Sequence, residues 1–142
     1  MELKATKYLD DQEFQAFFDE TMPGVEQVQH KEHGYFLYDH DLPIAFFTLI
    51  EMEDQVCWLR SLLIKRQAHI LLPVSLIQSA EQLAANRQAS HLVTHSTSQI
   101  LDELFTQLGY KPSNQALDQS IEANWWITSL ENVDKTSSYT QS

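Results

Sequence analysis

VCWLRSLLI (residues 56–64), KRQAHILL (65–72) and PVSLIQSAEQ (73–82) follow one another through the middle of the chain, and their reading decides the fold. The first is apolar on both alternating faces, with Val56, Trp58, Leu62 and Ile64 on one and Cys57, Leu59 and Leu63 on the other. A strand of that kind is covered on both sides, which places it at the centre of a sheet. The third carries Val74, Ile77 and Ala80 three or four residues apart, in phase with Ile70 before it and Ala84 after it. That spacing is an amphipathic helix, and Pro73 suits its first turn, where a missing N–H would be unpaired anyway. A buried strand thus leads into a helix, a junction whose open N–H groups and macrodipole favour anions.

Upstream, Tyr35, Phe36, Leu37 and Tyr38 form a strand closed by Asp39, His40 and Asp41, and residues 44–52 return from Pro43 as its partner. With Glu51, Glu53, Asp54 and Gln55 as the next tight connection, strands at 35–39, 44–52 and 56–64 make an antiparallel meander. Downstream, residues 91–95 are a short strand that a crossover helix forces to run parallel to 56–64. Thr97 or Ser98 caps a further helix with Leu101, Leu104, Phe105 and Leu108 on one face and Gly109 just past its end. Tyr110, Lys111 and Pro112 begin an edge segment, 113–124 is a polar loop, and 125–130 is a last strand. Before the meander, 2–8 alternates as an edge strand. Asp10 and Glu13 then open a helix, with Phe14, Phe17, Phe18 and Met22 on one face, that Pro23 and Gly24 stop. Residues 25–34 read as a polar, irregular connection. The expected class is α+β: a mixed sheet of six or seven strands, an antiparallel meander at its centre and a parallel crossover beside it, with helices on both faces. One domain over residues 1–130 and a flexible tail over 131–142 are expected.

The chain of 142 residues has 20 acidic and 9 basic side chains, a formal charge of −11. Such a field repels phosphate backbones and anionic membranes, so neither nucleic acid nor a membrane is expected as a partner. Amines fit it better. A polyanionic cofactor would need Arg60, Lys65 and Arg66 gathered locally. No apolar run approaches the ~20 residues of a membrane span, and the first residues lack a signal-peptide core, so a cytoplasmic location is expected.

Among single residues, Arg60 stands out because a guanidinium in a covered strand needs a carboxylate or carbonyl partner. That partner is either a substrate carboxylate or Glu51 or Glu53 across the hairpin. His30 and His33 have a metal-like spacing without a third ligand, so no metal is expected. His91 and His95 lie about 13 Å apart on a strand, too far for one ion. His95, with Ser96 and Thr97, can still line a cleft at the strand end. Cys57 has no base near it in sequence and reads as a core thiol.

The order β, α, βββ, α, β, α, ββ, with CWLRSLLI, SLIQSAEQLA, HLVTHST and above all LFTQLGYKP, resembles the GNAT superfamily of acetyl-CoA-dependent N-acetyltransferases. Within it, LRSL, GYKP and the later Ile121, Ser129 and Leu130 are similar to the small arsenic-resistance type, over roughly residues 35–130. The resemblance implies acetyl transfer to a small amine, with Glu51 as general base. Arg60, Ser61, His95 and Ser96 are the implied acceptor-side residues, although Ser61 also reads as plain packing and Glu51 as a solvated hairpin carboxylate. Leu62, Leu63, Ile64, Arg66 and Phe105 are implied on the acetyl-CoA side. Two departures matter. The superfamily's glycine-rich pyrophosphate loop is replaced by Ala68, His69, Ile70, Leu71, Leu72 and Pro73, so weak or absent acetyl-CoA binding is expected. Phe105 stands where many members have a tyrosine acid, and it cannot donate a proton. A binding module that has lost the cofactor cradle, or a protein that dimerises through exposed strands, are the alternatives.

Overall fold

The computed structural model describes residues 2–18, 24–65 and 70–133. One sheet of seven strands organises them: β1 (Glu2–Ala5), β2 (Gly34–Asp39), β3 (Leu42–Glu51), β4 (Val56–Ile64), β5 (His91–Ser96), β6 (Lys111–Pro112) and β7 (Asn124–Ser129). Their spatial order is β1-β2-β3-β4-β5-β7-β6. β4 is therefore the middle strand. It pairs antiparallel with β3 and parallel with β5, and every other pairing is antiparallel. The expected mixed sheet with a meander and one parallel crossover is what the chain forms.

Two pairs of helices cover the sheet. α3 (Leu72–Asn86) makes the crossover from β4 to β5, and α4 (Gln99–Gln107) follows β5. Both pack on the face that carries Leu37, Phe47, Leu49, Cys57, Leu59 and Leu92, forming the larger core. Each of those side chains is at most 2% exposed, and burying one contributes roughly 1.5–3 kcal/mol. Ser98 caps α4 by accepting from Leu101 N; Gly109, at φ 90°, takes the left-handed turn beyond its end. On the opposite face α1 (Asp11–Ala16) packs Phe14 and the following Phe17 against Phe36, Tyr38 and Phe46.

Four departures from the sequence reading have physical causes. The edge strand ends at Ala5, because residues 6–8 tighten into a 3₁₀ turn. Asp10 does cap α1, accepting from Glu13 N at 2.7 Å, but the helix is short, and Met22 and Pro23 lie outside the described residues. Where the polar pattern of residues 25–34 predicts an irregular connection, the chain forms a helix, α2 (Gly24–His33). Its polar face hides it from periodicity, while His30, Lys31 and His33 in its last turn complement the dipole. Its last carbonyls are met from afar: the buried Thr6 hydroxyl donates to Lys31 O at 2.7 Å. β2 then begins at once, which Gly34 permits, since a Cβ there would run into His30 O and lie 2.5 Å from a Phe46 ring carbon. Finally, residues 131–133 are not a loose tail, because Val133 N donates to Leu130 O and its side chain packs on the larger core. Residues 134–142 lie outside the described residues. No described helix is long and apolar enough to cross a membrane.

Candidate functional site

Pairing between β4 and β5 runs from Val56↔His91 to Leu59↔Thr94 and stops. The Thr94 hydroxyl closes the last rung by donating to Leu59 O at 2.8 Å. Beyond it β5 stays with β7, through His95↔Trp125 and Ser96↔Asn124, whereas β4 stays with β3. The cause is local. Phe46 faces Leu63 and Thr48 faces Arg60, so Ser61 and Leu62 together oppose Phe47 alone. That is a bulge, and it bends and overtwists its strand. Ser61 sits there at φ 57°, a left-handed value costly for a residue with a Cβ. The two strands part in the middle of the sheet, and among the described residues β4 from Arg60 onward has no strand on its β5 side.

Before the bulge, Trp58 and Arg60 share a sheet face with His95 and Trp125, opposite to α3. The Trp58 indole N–H donates to His95 Nδ1 at 3.1 Å. The rings of Trp58, His95 and Trp125 are mutually packed, with His95 and Trp125 centroids 4.9 Å apart. The Arg60 guanidinium lies over the Trp58 ring at 4.4 Å, a cation–π contact. Since an indole can only donate, Nδ1 is the acceptor and the neutral imidazole carries its proton on Nε2. Burial, and then the charge of Arg60, hold His95 below the usual histidine range, with Asp118 acting in the opposite sense. Asp118 itself is held low, first by its hydrogen bonds from Ser120 and then by Arg60 and His95.

The groove has two walls. On one side, Ala116, Leu117 and Ile121 of the loop between β6 and β7 pack against Trp58, Val93 and Trp125. On the other, α2 brings Gln29 and His30 to Thr48, Ile50 and Arg60 around a small cavity of ≈ 10 Å³. His30 lies flat on Phe46 at 5.6 Å, and its Nδ1 is 2.8 Å from Glu26 O.

Of the residues expected on the acceptor side, the chain brings Arg60 and His95 together, with Ser61 beside them at the bulge. Glu51 is elsewhere. It pairs across from Cys57, near the hairpin, and its carboxylate is 3.7 Å from Arg87 at the end of α3. The expected ion pair between Arg60 and Glu51 or Glu53 does not form, because Glu51 faces α3 while Arg60 faces away from it. Among the described residues Arg60 pairs with no carboxylate. Ser96 is also apart: its hydroxyl accepts from Ser98 N at 2.9 Å and shapes the turn into α4. Leu62 and Ile64 turn back to the larger core, and Leu63 is 46% exposed. Phe105 is 1% exposed and packs on Tyr110 at 5.1 Å, inside the core rather than at a surface. Arg66 lies outside the described residues. Cys57 is buried, and burial pushes its thiol up. Sequence reasoning missed the roles of Trp58, Trp125, Gln29, His30 and Asp118. The alternation of tryptophan with Arg60 on one strand face was the available signal for the first.

No protein-family model matches the sequence, nor does any curated protein. Solved structures do match in fold. N-acetylglutamate synthase from Neisseria gonorrhoeae, complexed with coenzyme A and N-acetyl-glutamate, superposes with a TM-score of 0.73 at 13% identity over 90% of this chain. The match spans only 34% of that longer protein. An aminoglycoside 6'-N-acetyltransferase complexed with coenzyme A gives 0.67 at 12% identity, covering 92% of this chain and 97% of that one. A GNAT-family acetyltransferase from Staphylococcus aureus Mu50 gives 0.61 at 10%, covering 89% of each. The parted central strands, the crossover helix and these superpositions together give the chain the fold of the GNAT N-acetyltransferases.

Proposed function

We propose that this protein transfers an acetyl group from acetyl-CoA to a small amine. The observation that carries the reading is the parting of β4 and β5 beyond Leu59 and Thr94. It leaves main-chain groups of β4 without a strand neighbour inside a sheet. A pantetheine arm, with its two amides, is the kind of extended chain that such an edge accepts by strand-like hydrogen bonds. Neighbours of this fold hold coenzyme A, which supports the reading.

The residues fit that group in part. The strand edge suits the arm, and α3 opens at Leu71 without a capping side chain and without an acidic residue in its first turn. Pro73 removes one of the N–H groups there, so binding weaker than the low micromolar range is expected. The thioester supplies an activated acyl carbon. On the other side of the sheet, Arg60 and His95 orient the acceptor, and the aromatic floor of Trp58 and Trp125 excludes water. The amine nitrogen attacks the acyl carbon, the C–N bond forms, and the C–S bond breaks with its electron pair leaving on sulfur. His95 is not a free base, because its Nδ1 is engaged by Trp58. His30 is the groove imidazole with a lone pair to spare: Glu26 O can only accept, so Nδ1 carries the proton and Nε2 is open to take one from the attacking amine. Phe105 offers the thiolate no proton.

Calorimetry with acetyl-CoA, beside a thiol-release assay over a set of small amines, tests this. The expected result is measurable binding, with turnover that rises with pH as the amine deprotonates. Glu51→Gln, away from the groove, should leave turnover within about twofold of the parent. Absence of acetyl-CoA binding at millimolar concentration would replace the reading with that of a binding module. A large loss in Glu51→Gln would return the base role to that carboxylate.

A further inference from the structure

Arg60 is half-buried on the groove face of β4, stacked on Trp58 and held there by strand pairing with Thr48. A guanidinium carries five N–H donors in a fixed fork, and here no carboxylate of the described residues takes them. Beside it, His95 has its Nδ1 tied to Trp58, so its proton is on Nε2, which has no partner among the described residues. Neither group is a buried, unsatisfied donor, so both reach solvent. In a chain whose formal charge is −11, a fixed cation with a second donor next to it and aromatic surface beneath is a local exception. A guanidinium that the fold holds in place without a carboxylate partner is open to an anionic ligand.

We infer that the acceptor is an amine that also carries a carboxylate, held by the Arg60 guanidinium, which buried Trp58 fixes from beneath, with His95 Nε2–H as second donor. This rests on the acyl-transfer reading and names the class of acceptor for it. A planar carboxylate matches the guanidinium fork, and one negative charge meets less repulsion from the acidic chain than the two of a phosphate monoester. The loop carboxylate of Asp118 is the rival already in the molecule. It is close enough for Arg60 to help hold its carboxyl below the usual carboxylate range, yet its Oδ1 is occupied by Ser120 N at 3.0 Å and Ser120 Oγ at 2.6 Å. Its remaining charge gates the same cation.

The test reads the Trp58 indole N–H, assigned by Trp58→Phe, in nitrogen–proton spectra of the full chain without cofactor. The probes are N-acetylated glycine, leucine and phenylalanine, each beside its carboxamide, and inorganic phosphate. The acids should shift that resonance in a saturable way, the carboxamides should bind at least about tenfold more weakly, and Arg60→Met should remove the difference. Arg60→Lys, which keeps the charge but not the fork, should recover it only in part. Asp118→Asn should tighten the acids. Melting curves of each variant show whether the fold is kept. Equal binding of acids and carboxamides, unchanged binding in a folded Arg60→Met, no binding of any acid, or phosphate binding tighter than the acids would each overturn the inference. Acetyl-CoA calorimetry on the same samples separates the two readings. Cofactor binding without acid binding sinks only the acceptor class, and acid binding without cofactor binding sinks only the transfer.

Discussion

Glu81 lies half-buried on α3, and its Oε2 accepts from the Tyr110 hydroxyl at 2.6 Å. Burial pushes its carboxyl above the usual range by more than the Tyr110 bond pulls it down. The folded chain therefore holds that proton more tightly than the unfolded chain does. Linkage then makes the contribution of Glu81 most favourable below the ordinary glutamate range, and it is lost as pH rises through the folded value. Glu81→Gln keeps an acceptor for Tyr110 and removes the charge. In thermal unfolding it should melt above the parent at about pH 8, with the gap closing towards about pH 4; a parent that melts higher at pH 8 would show the charged bond outweighing burial. At this scale the sequence was legible where a residue conflicts with its surroundings, as Arg60 does on a covered strand. It was not legible for Glu51. β3 is apolar on both faces, Phe46 and Ile50 on one, Phe47 and Leu49 on the other, so alternation could not say which of them looks towards Arg60.

The bulge at Ser61 is the element on which the site depends. Glycine adopts φ 57° without a steric cost, so Ser61→Gly should raise stability by up to about 1 kcal/mol and leave acetyl-CoA binding intact. Deleting Ser61 is the sharper experiment. Leu62 would then oppose Phe47 and Leu63 Phe46, a regular ladder in which Leu62 still faces the α3 core. The expected product is folded by circular dichroism, with β4 drawn back towards β5 and acetyl-CoA binding lost by calorimetry; retained binding would separate the gap from the cofactor. Nothing in VCWLRSLLI announces this irregularity, because a serine among leucines carries no turn signal. α2 escaped for a different reason. Its stop comes from Thr6, 25 residues earlier than the Lys31 carbonyl it caps, and no local pattern encodes a partner that distant. The strand order, the crossover and α4 were legible because each rests on spacing within a dozen residues.

Across the whole molecule, a charge of −11 opposes the approach of coenzyme A, itself a polyanion. Screening length falls from about 30 Å at 0.01 M to about 8 Å at 0.15 M ionic strength. Association of acetyl-CoA should therefore quicken with added salt over that range in stopped-flow fluorescence, the reverse of a steered encounter; a rate that falls with salt would mean a local cationic funnel overrides the total. The same sheet carries a protection of another kind. Its outer strands are stubs, four residues in β1 and two in β6, and Pro112 in the latter has no N–H to offer. A second copy of the chain seeking to extend the sheet finds little template at either rim. The side of β4 that β5 leaves from Arg60 onward lies inside the sheet, between strands of the same chain, and not at either rim. On the acyl-transfer reading proposed above, one arrangement serves two ends: the margins offer little template to another copy, and the vacancy that would receive a slender cofactor has been moved to the middle of the sheet.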